Sequence, residues 1–218
     1  MAKITLTPLP KETPEIKPKA GKIRLMDSSE IKVDESQQVS VAEFLLSRAE
    51  KEDCKLYGIV DSARNDEVFR YLVTGDVRYK SLFEDTMDVQ SYGVSGFLVE
   101  CKKESPLFQW MTKQAWGDNC SIFFTSKASF DELFTHFQKF NRVYIEGDDV
   151  VLFRYYDPRV LNLFLPTCNN EQIRSFFGKV GHFFAEDEDP EIIRVFKYLP
   201  ESHDTLLSMH KFRIYKEN

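Results

Sequence analysis

Apolar positions recur along the chain with two periods, and the switch between them lays out the elements. "SVAEFLLSRAEKED" places Val41, Phe44, Leu45 and Ala49 on one helical face, opened by Ser40 with Glu43 at capping-box spacing. "KLYGIVDSAR" holds a continuous apolar run, Leu56 to Val60, that reads as a buried strand ending at Asp61. The helix expected next, "NDEVFRYLVTG", stops at Gly75. This succession returns in "SGFLVEC" and "SPLFQWMTKQAWG", a strand and a helix with Ser105 at the cap, Pro106 first in the helix and Gly117 beyond its end. A third round follows in "CSIFFTS" and "SFDELFTHFQKF", where Phe130, Leu133, Phe134, Phe137 and Phe140 recur at helical spacing behind a Ser129/Glu132 cap.

Three such rounds predict a mixed α/β fold with a mainly parallel sheet built from β-α units. "RVYIEGDDVVLFRYYD" then reads as two strands joined at Gly147 and Asp148, an antiparallel hairpin added to that sheet. After the hairpin, Asp157 can accept from the free N–H groups of a first helical turn and Pro158 is pre-set for its first position. "NEQIRSFFG" is a further helix, capped by Asn170 and closed by Gly178. Beyond it "AEDEDPE" reads as a solvated acidic loop, and "IIRVFKYL" and "KFRIYKE" have strand composition. The expected domains are an arm over 1–36 bearing Pro8, Pro10, Pro14 and Pro18, an α/β domain over 37–178, and a short C-terminal β-rich extension over 179–218.

Composition narrows the function. With 42% hydrophobic and 29% charged residues the chain has an ordinary globular balance, and its nineteen Phe make the core aromatic. A formal charge of -6 without a basic stripe disfavours nucleic acid as a partner. No window approaches the ~20 apolar residues of a membrane span, and the N-terminus has no continuous apolar core, so no membrane contact is expected and the compartment is taken as the cytoplasm. Cys54, Cys101, Cys120 and Cys168 are scattered without C-x-x-C spacing, as reduced thiols would be.

Catalytic patterns are missing. No phosphate loop and no dinucleotide fingerprint follows any strand, the histidines lie apart, and "GVSG" around Ser95 lacks both the spacing and the preceding strand of a nucleophile elbow. Asp61 stands where open α/β sheets place ligands, with Arg64 close by, or it is a helix-start charge with its ion partner. Trp116 reads as a partner anchor or as a buried helix end.

The order "YGIVDSAR", "YKSLFED", "FLVEC", "SPLFQWMTKQAWG", "IFFTS", "HFQKF" and above all "VLFRYYDPRVLNLFLPT" resembles the type VI secretion adaptor proteins, also called effector chaperones, over roughly residues 55 to 178. That resemblance implies a cytoplasmic, non-catalytic adaptor that binds a type VI secretion effector and helps load it onto the VgrG spike protein, sometimes through a PAAR-type tip region. It implies no reaction, no metal and no cofactor. Relatives commonly carry a longer second lobe after the matched blocks, whereas here about forty residues follow. Within the blocks, Arg64, Trp116 and Arg159 are the candidate partner-binding positions. Asp61, Gly117, Arg154, Asp157 and Pro158 are expected to fix the fold, Asp157 as a cap and Arg154 or Arg159 as a partly buried cation paired with a carboxylate such as Asp61. The competing reading is a small α/β hydrolase-like enzyme with a cleft near Asp61 and Arg159. An immunity-like or regulatory binder is a third.

Overall fold

Capping residues close the helices where local chemistry demands it. In the computed structural model, which describes residues 33–34, 39–83, 96–144, 150–202 and 206–216, α1 (Val41–Lys51) opens on the reciprocal Ser40/Glu43 pair and α4 (Phe130–Gln138) on Ser129/Glu132. Ser105 caps α3 (Pro106–Lys113) and Asp157 caps α5 (Pro158–Phe164), each followed by proline at the first helical position. α2 (Glu67–Thr74) lacks a side-chain cap. α6 (Asn170–Phe177) is capped one residue earlier than its sequence suggests, by Asn169, because Gln172 reaches back to that residue's N–H.

The strands are β1 (Val33–Asp34), β2 (Lys55–Asp61), β3 (Tyr79–Ser81), β4 (Gly96–Glu100), β5 (Ser121–Ser126), β6 (Arg142–Tyr144), β7 (Val150–Leu152), β8 (Val180–Glu186), β9 (Ile192–Tyr198) and β10 (Leu207–Arg213). One sheet takes them in the order β1-β10-β9-β8-β5-β2-β4-β3. From β10 to β3 every pairing is antiparallel, and only the two-residue β1 adds in parallel, at the edge. The mainly parallel sheet of β-α units is therefore corrected. β4 and β5 do run the same way with α3 between them, but β2 is inserted between the two and opposes both. The reason is that helices cover both faces of this antiparallel sheet, so β2 and β5 are buried almost throughout and read like parallel strands.

Two further corrections concern the later strands. β6 and β7 pair only with each other instead of joining the main sheet; the turn at Gly147 and Asp148 lies outside the described residues. β8, β9 and β10, expected as an extension, continue the central sheet through the β5–β8 pairing. The arm up to residue 32 is likewise outside the described residues.

Alternation along the central strands builds two cores. Tyr57, Ile59 and Phe124 face one way, with Phe137, Tyr155, Phe176 and Phe183 packed over them. Val60, Phe123 and Phe184 face the other way, under Phe44, Trp110 and Met111. Tyr57 and Phe124 stack at 5.5 Å and Phe137 meets Phe124 at 4.9 Å, contacts each worth about 1 kcal/mol beyond area burial. At the start of β4 a Cβ on Gly96 would stand 2.8 Å from the Tyr156 ring, so glycine there lets the segment before α5 lie against the strand ends.

Candidate functional site

β2 delivers Asp61 to the end of the sheet and a tight turn holds it there. Arg64 N donates to the Asp61 carbonyl at 3.2 Å, Ala63 N to Asp61 Oδ1 at 3.0 Å, and Asp61 N to Cys120 O at 2.7 Å. The other carboxylate oxygen is taken by Arg154 Nη2. Of the two arginines proposed for this pairing, Arg154 is the one that reaches Asp61. The Asp61 side chain is 1% exposed and that of Arg154 40%. Burial pushes the Asp61 carboxyl above its usual value, and Arg154 with the Ala63 N–H pulls it part of the way back.

Arg159 is held locally instead. Asp157 Oδ1 accepts from Arg159 N and Nε, both at 3.0 Å, and Oδ2 from Nη2 at 2.5 Å, so the cap residue also clamps the guanidinium. Burial alone would raise Asp157; the bonds from Arg159 outweigh it and hold the carboxyl below the usual carboxylate value. Pro158 is buried. Arg64 lies within electrostatic reach of Asp157, and its Nη2 donates to Asp118 O at 3.3 Å. Asp61, Arg64, Arg154, Asp157 and Arg159 thus form one cluster, in which Asp61 and Arg159 have different partners.

A second carboxyl organises the turn after α3. Trp116 is fully buried and its Nε1 donates to Pro190 O at 2.8 Å, which takes the indole out of reach of a partner. Gly117 adopts φ +100°, the left-handed region that favours glycine. Its N–H and that of Asn119 both donate to Glu186 Oε2, at 2.9 and 3.0 Å. Lys216 Nζ clamps the carbonyls of Gln114 and Trp116, and Asn162 Nδ2 donates to the Glu186 carbonyl. Glu186 is 1% exposed, its Oε1 has no partner among the described residues, and burial pushes its carboxyl up to about 7.

The solvated acidic loop is corrected accordingly. Glu186 and Asp187 are withdrawn from solvent, Asp187 to accept from Arg194 Nε at 2.5 Å and Lys211 Nζ at 3.1 Å, while Glu188 and Asp189 are exposed. Sequence reasoning missed Glu186 and Asn162. One signal was there: Glu186 stands in phase with Phe184 along "VGHFFAE", where strand alternation points both to the same face.

A groove of about 520 Å³ lies elsewhere, beside α4, lined by Leu133, Thr135, His136 and Lys179 among others, and includes no residue of the arginine cluster. The four thiols are free, with burial pushing that of Cys120 up to about 12. Among the described residues no group of three or more His, Cys, Asp or Glu side chains is arranged to hold a metal, and no helix is long and apolar enough to cross a membrane.

The cluster falls within a family domain. A family model described as Domain of unknown function (DUF4123) matches residues 56–175, more than half of the chain, and the chain belongs to that family. No curated protein and no solved structure matches the chain.

Proposed function

We propose that the protein is an adaptor that binds a type VI secretion effector in the cytoplasm and helps load it onto the VgrG spike. One observation carries this reading: the family match over 56–175 coincides with the blocks, F-R-Y-Y-D-P-R-V-L foremost, through which the sequence resembles the type VI adaptors. The site geometry is compatible with a role that needs no bond chemistry. Both oxygens of Asp61 and of Asp157 are engaged by donors that fix the strand ends. Such fixed groups serve recognition by presenting the same surface at every encounter.

Tagged protein purified from its native host, with mass spectrometry of what accompanies it, tests the proposal. The expected companion is one effector in a defined ratio, whose abundance or export falls when the adaptor gene is deleted. Unchanged effector level and export in the deletion strain would overturn the reading.

A further inference from the structure

We propose that the strand-end surface bearing Arg64, Arg154 and Arg159 receives side-chain carboxylates from an acidic segment of the partner. The inference rests on the adaptor reading and names the chemistry by which that partner is gripped.

The cluster holds one more cation than the buried carboxylates that serve it. Asp61 is matched to Arg154 and Asp157 to Arg159, whereas among the described residues the Arg64 side chain hydrogen-bonds only the Asp118 carbonyl and acts on Asp157 from a distance. Arg64 is exposed, and the side chain of Arg159 is 54% exposed. Arg159 uses Nε and Nη2 on Asp157, and among the described residues no bond engages its Nη1. Arg64 uses only Nη2. The Arg159 guanidinium is therefore fixed along one edge by Asp157, so little of its side-chain entropy is lost when a planar acceptor docks, while Arg64 is tethered by a single bond to Asp118 O. A carboxylate fits such a fork with two parallel N–H···O bonds.

The chain as a whole carries -6, which opposes an acidic partner at long range. Screening limits that field to about 8 Å at physiological salt. At contact distance the neighbouring guanidiniums decide the interaction. Arg154 adds its charge to the patch from a half-buried position while neutralising Asp61 beneath it.

The test uses the full chain and its host-derived companion. Arg64→Glu should weaken the complex at least tenfold while the circular dichroism shows the fold intact, because the Arg64 side chain is exposed and caps nothing. Arg64→Lys, treated with a carbodiimide, should form a zero-length amide between the introduced lysine and an Asp or Glu of the companion, located by mass spectrometry. Full retention of the companion by Arg64→Glu, or cross-links at other lysines with none at position 64, would overturn the inference and leave the adaptor reading standing. Absence of any companion on the wild-type protein would instead defeat the adaptor reading, and this inference with it.

Discussion

Two buried carboxyl centres sit at the same end of the sheet and are solved by different means. Around Asp61 and Asp157 the partners are guanidiniums, while around Glu186 they are backbone N–H groups from the turn after α3. Asp157 is held below its usual value and Glu186 is pushed up to about 7. Burial outweighs the donors at Asp61, where Arg154 pulls the carboxyl only part of the way back, and at Glu186, whereas the two-pronged Arg159 clamp prevails at the less buried Asp157. The arginine side presents partly exposed cations to solvent. The Glu186 side takes up a proton near neutrality and faces inward.

The strongest way to break this contrast is to remove the cation from the first centre. Arg154→Ala leaves the Asp61 carboxylate buried without its counter-ion and should cost about 3 kcal/mol, measured by chemical denaturation. A loss below about 0.5 kcal/mol would mean that water replaces the guanidinium freely.

Next in size is a pH test of the second centre. Glu186 has a folded value near 7 against an ordinary 4.5, so the folded state holds an extra proton between the two. Stability from this group is fully present below 4.5 and is lost as pH rises through about 7. Asp157, shifted downward, has the opposite sign: its contribution is present above its ordinary value of 3.8 and is lost as pH falls through its lower folded value. Glu186→Gln should remove the decline in melting temperature between pH of about 5 and about 8 while leaving the acid limb in place. An unchanged decline in the variant would assign it to another group.

The smallest effect sharpens the role of the turn itself. Trp116→Phe preserves ring packing against Phe123 but removes the Nε1 bond to Pro190 O, and should cost about 1 kcal/mol without altering binding of the companion. Lost binding at unchanged stability would restore Trp116 as a partner contact.

What could be read from the chain beforehand follows the range of the forces involved. Ser40 with Glu43, Ser129 with Glu132, and Asp157 with Pro158 act within one turn, and their caps lie where the sequence puts them. Strand direction depends on partners far along the chain. β2 pairs with β4 and β5 on either side, and a buried apolar run carries no mark of which way its neighbour runs. The arginine cluster was half legible for the same reason. Asp61, Arg154 and Arg159 stand out by type, yet the Asp61–Arg154 match spans 93 positions while Arg159 closes on its own helix cap. Glu186 was hidden by its company: four acidic residues in a row suggest solvent, and only the turn brought against it from α3 makes burial tolerable.

The β5–β8 seam gives the fold a hidden dependence. The family-matched stretch ends inside α6, so a shortened version stopping there would strip β5 of its neighbour and bare a central row of amide and carbonyl groups together with Phe123 and Phe124. Such a fragment is built to recruit any extended chain it meets, itself included, so the last three strands act as the shield that keeps this domain from clumping with its own copies.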